Sequence, residues 1–219
     1  MTKIDYRLNA IVDASLSDIA PLPELATLAA HNGATIIQYR DKTASTRKMI
    51  DQARAIVEAL KGTGVPLVIN DRVDVAMATG ADGVHLGADD MDAETARRLL
   101  GPDTIIGLTV KSMADARHVA QAPADYACIG GVFETTSKVN PDTPVGLAGL
   151  KQIRTYLRNE RPDLPVGAIA GITLERVPDM IAAGADGVAL ISALFRTDDI
   201  ATTAKAFRNA VDDAIGARP

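Results

Sequence analysis

Three polar runs follow apolar, β-type segments in close succession. One segment ends in Gln38-Tyr39-Arg40-Asp41-Lys42, the next in Asn70-Asp71, and the third runs from Val84-His85-Leu86 into Gly87-Ala88-Asp89-Asp90. Cations beside carboxylates at one end of a sheet suit a Mg²⁺–phosphate site. The cations meet phosphate oxygens, and hard carboxylate oxygens hold the metal. Gln38, Arg40 and Lys42 are spaced by two, so they point the same way while the chain stays extended, leaving Ile37 and Tyr39 to face a helix layer. Asp71 and Asp90 close neighbouring predicted strands, which lie about 5 Å apart in a sheet. The two can therefore share one cation, with waters and substrate oxygens completing an octahedron. Each also precedes a predicted helix, so an N-cap is the competing role for either. His85 reads as a hydrogen-bonded barrel histidine rather than a base, and His31 and His118 as structural.

Further along, Gly130-Gly131-Val132-Phe133-Glu134-Thr135-Thr136-Ser137-Lys138 places hydroxyls before a lysine, which suits an anionic substrate. A plain polar loop would look similar. Ala168-Ile169-Ala170-Gly171-Ile172 and Ala189-Leu190-Ile191-Ser192 end the last two predicted strands in small residues, which let backbone N–H groups approach a ligand. Loops after strands seven and eight of an α/β barrel are a recurrent phosphate site.

The elements that must position these groups alternate along the whole chain. Apolar β-type runs predict strands at 6–12, 35–40, 66–70, 83–86, 104–109, 126–130, 166–170 and 187–191. Helical patterns predict helices at 22–31, 45–61, 73–79, 92–100, 112–121, 147–159, 174–183 and 199–214. Ser45, Asp92, Ser112 and Thr173 stand at helix starts as caps. A weak repeat joins helix to strand at Asn32-Gly33-Ala34-Thr35, Gly80-Ala81-Asp82-Gly83, Pro123-Ala124-Asp125-Tyr126 and Gly184-Ala185-Asp186-Gly187. Eight such αβ units predict an α/β fold in which a parallel sheet closes into a TIM (β/α)₈ barrel, a single domain over 1–219. An open doubly wound sheet fits less well, because no G-x-G-x-x-G follows the first strand.

The 219 residues and 47% hydrophobic content suffice for one large core, built from aliphatic residues because aromatics are only 3%. A net charge of −5 and the absence of Trp argue against nucleic acid and anionic membrane as partners. The single cysteine, Cys128, forms no intramolecular disulfide and reads as a buried thiol. No secretory leader and no membrane span is evident, so a cytoplasmic protein is expected.

The ordered set Q-Y-R-D-K, I-N-D, H-L-G-A-D-D, T-T-S-K, A-G-I and I-S, across residues 6–210, resembles the thiamine-phosphate synthase family. The resemblance implies a TIM barrel transferase that joins a pyrimidine diphosphate to a thiazole phosphate and releases pyrophosphate. It implies one Mg²⁺ per subunit on Asp71 and Asp90. It implies pyrimidine diphosphate contacts from Gln38, Tyr39, Arg40, Asp41, Lys42, Asn70, Thr109 and Lys138, with Arg40, Lys138, Asn70 and Thr109 acting in catalysis. Thiazole phosphate would meet Thr135, Thr136, Ser137, Gly171, Ile191 and Ser192. Thr109, Ala88, Ala170 and Glu134 stand where that family more often has serine, glutamine, glycine and proline. A related thiazole tautomerase is the alternative, but Gly131 stands where its histidine base is expected. A non-catalytic phosphate-binding paralogue is the third reading. The oligomeric state and the carboxylation state of the thiazole are left open, and a homo-oligomer is compatible with the sequence.

Overall fold

In the computed structural model, which describes residues 4–134 and 143–218, eight parallel strands close into a barrel in chain order, with β8 paired to β1. The strands are β1 Leu8–Asp13, β2 Ile36–Arg40, β3 Leu67–Asn70, β4 Gly83–Leu86, β5 Ile105–Val110, β6 Tyr126–Ile129, β7 Val166–Ile169 and β8 Gly187–Leu190. Around them lie α1 Leu22–His31, α2 Thr46–Leu60, α3 Val73–Thr79, α4 Ala93–Leu100, α5 Met113–Gln121, α6 Gly146–Glu160, α7 Val177–Ala182, α8 Ser192–Phe195 and α9 Ile200–Gly216. The expected TIM barrel is the observed fold, with element limits within a few residues of those read from the pattern.

Three local differences have physical causes. Ser45, Asp92 and Ser112 accept from the backbone N–H groups of Lys48, Thr95 and Asp115, as caps should. Thr173 makes no such bond: the chain enters through a 3₁₀ turn, Leu174–Arg176, and Pro178 sits in the first turn of the shorter α7. The one-turn α8 and a 3₁₀ turn at Ala14–Leu16 were not expected, because a single turn carries no 3.6-residue periodicity to read.

The repeated joint is a lock at the N-terminal face. Thr35, Asp82, Asp125 and Asp186 each donate their backbone N–H to a carbonyl at the start of the preceding strand: Leu8, Leu67, Ile106 and Val166, at 2.7–2.9 Å. Each side chain then accepts the N–H of that same residue, at 2.8–3.0 Å. The four-fold use of one reciprocal pair fastens β2 to β1, β4 to β3, β6 to β5 and β8 to β7. Arg97 braces Asp125 at 2.6 Å and Arg154 braces Asp186 at 3.0 Å.

Two apolar regions result. The larger lies between sheet and helices and takes in Ile37, Tyr39, Ile69 and Val84. The smaller fills the barrel and contains Tyr6, Ile11, Ile36, Val68, Tyr126, Cys128 and Ala189. Tyr6 and Tyr126 lie with ring centroids 5.0 Å apart. They fit because glycines face them: a Cβ on Gly167 would sit 1.6 Å from Tyr6, and one on Gly107 2.0 Å from Tyr126. The tyrosines plug the lower barrel, leaving a polar mouth above.

Candidate active site

Strand alternation lifts Gln38 and Arg40 on β2, Asn70 on β3, His85 on β4 and Thr109 on β5 into the barrel, where they line a cavity of about 60 Å³. The register sets Arg40 beside Asp13 and Asn70 beside His85. Above this cavity opens a cleft of about 490 Å³ lined by Arg40, Lys42, Asp71, Asp89, Asp90 and Lys111, among others. Both lie at the C-terminal ends of the strands, where barrel enzymes carry their chemistry.

Asp71 and Asp90 face one another across this cleft. Neither caps a helix: Arg72 occupies the start of α3 without a side-chain cap bond, and Asp92 caps α4. The Asp71 backbone N–H still donates to the His85 carbonyl at 2.8 Å, and the chain then turns sharply at φ +64°. Aspartate tolerates that left-handed conformation better than most residues. Asp90 Oδ2 accepts the Gly87 N–H at 2.7 Å. Burial raises the Asp90 carboxyl above its ordinary range, and the neighbouring Asp71 carboxylate raises it further, against the lowering effect of the Gly87 N–H. Two carboxylates set against each other, with hard oxygens and open space beside them, suit a divalent cation. Among the described residues no three His, Cys, Asp or Glu side chains form a metal-binding group. A cation here therefore takes the remainder of its shell from water or from an anionic ligand.

Arg40 and Lys42 at the mouth each have a carboxylate. Arg40 Nη1 donates to Asp13 Oδ2, and Lys42 Nζ to Asp71 Oδ2. Burial works to raise Asp13, but the bonds from Ser15 and the Arg40 guanidinium hold it below the usual carboxylate range. Asp13 is thus a fixed anion that aims Arg40. Tyr39 lies in the helix layer, and its hydroxyl meets Asp41 Oδ2 at 3.3 Å. Asp41 Oδ1 accepts from the backbone of Thr43 and Ala44 at 2.8 and 2.9 Å, which shapes the loop before α2. Of the five-residue run, Gln38, Arg40 and Lys42 reach the mouth, while Tyr39 and Asp41 build the turn that carries Lys42.

His85 is held at both ring nitrogens, with Nδ1 3.1 Å from Tyr126 Oη and Nε2 2.9 Å from Thr109 Oγ1. It therefore orients the Thr109 hydroxyl. On the far side, Ile191 lines the inner cavity and Ser192 opens α8. Gly171, at φ +63°, lies where the stem of the β6 loop crosses: a Cβ there would sit 2.4 Å from the Glu134 carbonyl. The preceding Ala170 has φ +90°, a value at which glycine is at ease and alanine is strained. Thr135, Thr136, Ser137 and Lys138 lie outside the described residues.

Three residues of this mouth were missed in the sequence. Asn9 and Asp13 on β1 are buried, the first in the inner cavity and the second beneath Arg40. Lys111 lines the outer cleft. A signal existed: in Leu8–Asp13, Asn9 and Asp13 stand four apart, on one face of an otherwise aliphatic strand, and Thr109 and Lys111, two apart, likewise share a face while the chain stays extended.

Comparison with known proteins places this geometry among relatives. A family model described as thiamine monophosphate synthase matches residues 8–194. The chain is 70% identical over 218 residues to the thiamine-phosphate synthase of Agrobacterium fabrum, covering 100% of this chain and 99% of that protein. It is 40% identical over 205 residues to that of Chloroflexus aurantiacus, covering 94% and 92%. Among solved structures, a thiamine phosphate pyrophosphorylase from Pyrococcus furiosus superposes with a TM-score of 0.83 at 33% identity, covering 99% of this chain and 100% of that one. N-(5'-phosphoribosyl)anthranilate isomerase from Pyrococcus furiosus, at 15% identity and a TM-score of 0.65, shares the fold alone.

Proposed function

We propose that this chain, which belongs to the thiamine monophosphate synthase family, joins an aminopyrimidine bearing a diphosphooxymethyl arm to a thiazole phosphate, forming thiamine phosphate and releasing pyrophosphate. One observation carries the reading: Arg40 and Lys42 share a single cleft with the paired carboxylates Asp71 and Asp90, directly above a small cavity lined by amide and hydroxyl groups.

The division of labour follows from the chemistry. The inner cavity takes the flat heterocycle, with Gln38, Asn70 and Thr109 offering hydrogen bonds and His85 fixing the Thr109 hydroxyl. The diphosphate projects into the cleft toward Arg40 and Lys42. Asp71 and Asp90 suit one Mg²⁺, which when bound supplies positive charge beside the departing diphosphate. The CH₂–O bond breaks and its electron pair leaves on the diphosphate oxygen, while the ring amine donates density to the methylene carbon. Arg40, held in place by Asp13, stabilises the departing charge more as it develops, which lowers the barrier rather than merely tightening binding. The thiazole nitrogen then attacks the methylene carbon, and no protein nucleophile is required. Gly171, Ile191 and Ser192, with Thr135, Thr136 and Ser137, complete the reading as the thiazole phosphate side, while Lys138 serves the diphosphate. The isomerase alternative gains nothing from the geometry: Gly131 has no side chain to move a proton, and His85 is engaged at both nitrogens.

The test is a coupling assay with both heterocycles, reading thiamine phosphate after oxidation to its fluorescent thiochrome, with Mg²⁺ present or chelated. Product that disappears on chelation is the expected result. Asp71→Asn and Asp90→Asn are the informative variants, because asparagine also tolerates the positive φ at position 71. Both should lower turnover by roughly tenfold or more and shift the Mg²⁺ titration to higher concentration, as loss of one charged ligand predicts. Titration curves identical to wild type would remove the metal assignment.

A further inference from the structure

β1 carries Asn9 into the barrel, in register with Ile36 on β2 and Ala189 on β8. The residue is fully buried. It lines the inner cavity together with Gln38, Asn70, His85 and Thr109. Its Nδ2 donates to Tyr6 Oη at 3.3 Å. Its Oδ1 finds no donor among the described residues. Among such interior neighbours as Ile11, Ile36 and Ala189, an aliphatic side chain would fill the same space without burying an unmet acceptor. The orphan oxygen becomes intelligible if a ligand brings the missing donor to the cavity.

We propose that Asn9 Oδ1 accepts a hydrogen bond from the exocyclic amine of the aminopyrimidine, which makes Asn9 a specificity-determining residue of this chain. The inference rests on the functional reading above and deepens it. The amine is the group whose lone pair feeds the methylene carbon as the CH₂–O bond breaks. Its N–H bonds become more polar during that step, so an acceptor placed on them gains strength toward the transition state. Asn9 therefore acts twice: it selects the amine in the ground state and supports electron donation during the reaction. A site built to pair a substrate N–H rejects the analogue that lacks it more strongly than an apolar pocket can.

The experiment compares wild type with Asn9→Leu, equal in heavy-atom count but without an acceptor, and with Asn9→Ala as a second variant in case the bulkier leucine methyl groups do not pack. Each is titrated by calorimetry with the aminopyrimidine diphosphate and with its des-amino counterpart. Steady-state turnover is measured with the amino compound. Wild type should prefer the amino compound by roughly tenfold or more, as one buried hydrogen bond implies. The variants should bind both about equally and lose kcat, with the KM for thiazole phosphate unchanged. A purely structural asparagine would change melting temperature and leave the preference intact, so variants that keep the wild-type preference overturn the inference while the transferase reading stands. A wild type that binds neither pyrimidine overturns both.

Discussion

Arg40 illustrates how a residue's role depends on what holds it. Its guanidinium is only part-buried and paired with Asp13, so it is aimed before any ligand arrives. Arg40→Ala should cost about 2 kcal/mol or more in kcat, beyond the worth of one neutral hydrogen bond, and single-turnover measurements with the pyrimidine diphosphate would read it. A change confined to KM would mean that Arg40 binds substrate and transition state alike. Ala170 is the second case. Its positive φ is strained for any residue with a Cβ. Strain of about 1–3 kcal/mol, less the entropy glycine adds to the unfolded chain, leaves Ala170→Gly roughly 1 kcal/mol more stable by urea denaturation. A destabilised variant would show that the alanine methyl, which is buried, packs better than its backbone suffers.

Elements are fastened at one face and left open for chemistry at the other. The joint residues Thr35, Asp82, Asp125 and Asp186 belong to the face opposite the mouth, so their work is stability. They are not equivalent. Asp82 is exposed and makes one side-chain bond to Leu67 N–H, whereas Asp125 also pairs with Arg97, whose guanidinium further bonds the Pro123 carbonyl. Asp125→Ala leaves a strand N–H without its acceptor and a part-buried guanidinium with carbonyl partners but no carboxylate. It should cost about 2–3 kcal/mol, against about 1 for Asp82→Ala, with thiamine phosphate production unchanged at temperatures where both are folded. Equal losses would mean that the arginine brace adds nothing. The repeated joint explains why a weak sequence repeat was visible at all: one bond pattern, used four times between successive strands, needs a short acceptor side chain at one position, and aspartate or threonine meets it.

At the scale of the whole molecule, the mouth concentrates charge that the rest of the fold must tolerate. Burial and the nearby Asp71 raise the cost of ionising Asp90 in the folded chain only, because the barrel brings the two together. Mg²⁺ should therefore raise the melting temperature of wild type by mass action. Asp90→Asn should melt about 2–4 °C higher than wild type without metal, the shift expected of roughly 1 kcal/mol in a chain this size. Its Mg²⁺ response should also shift to higher concentration, trading function for stability. Calorimetric scans without Mg²⁺ and across a Mg²⁺ titration check both halves, and an Asp90→Asn protein less stable than wild type would show that the Asp90–Gly87 bond outweighs the repulsion.

How much of this was legible follows from how local each feature is. The joints showed only as a repeated helix-to-strand motif, because their bonds span 15 to 27 positions. Strands and most helix ends rest on neighbours a few residues apart, and their periodicity and capping side chains lie in the sequence. The cations and carboxylates were legible for the same reason: each lies within a few residues of a strand end, so alternation alone aims Gln38, Arg40 and Asn70 inward. The partners were not legible. Asp13 under Arg40, the pairing of Lys42 with Asp71, and His85 between Tyr126 and Thr109 join residues 27, 29, 41 and 24 positions apart. Such pairs exist only once the strands are in register. Closure of β8 onto β1 decided the most, because it turned Asn9 from one polar residue in an aliphatic strand into a buried amide in the cavity. Side-chain direction is a property of two or three residues of backbone, whereas a site's electrostatics is a sum over elements that only the closed barrel brings together.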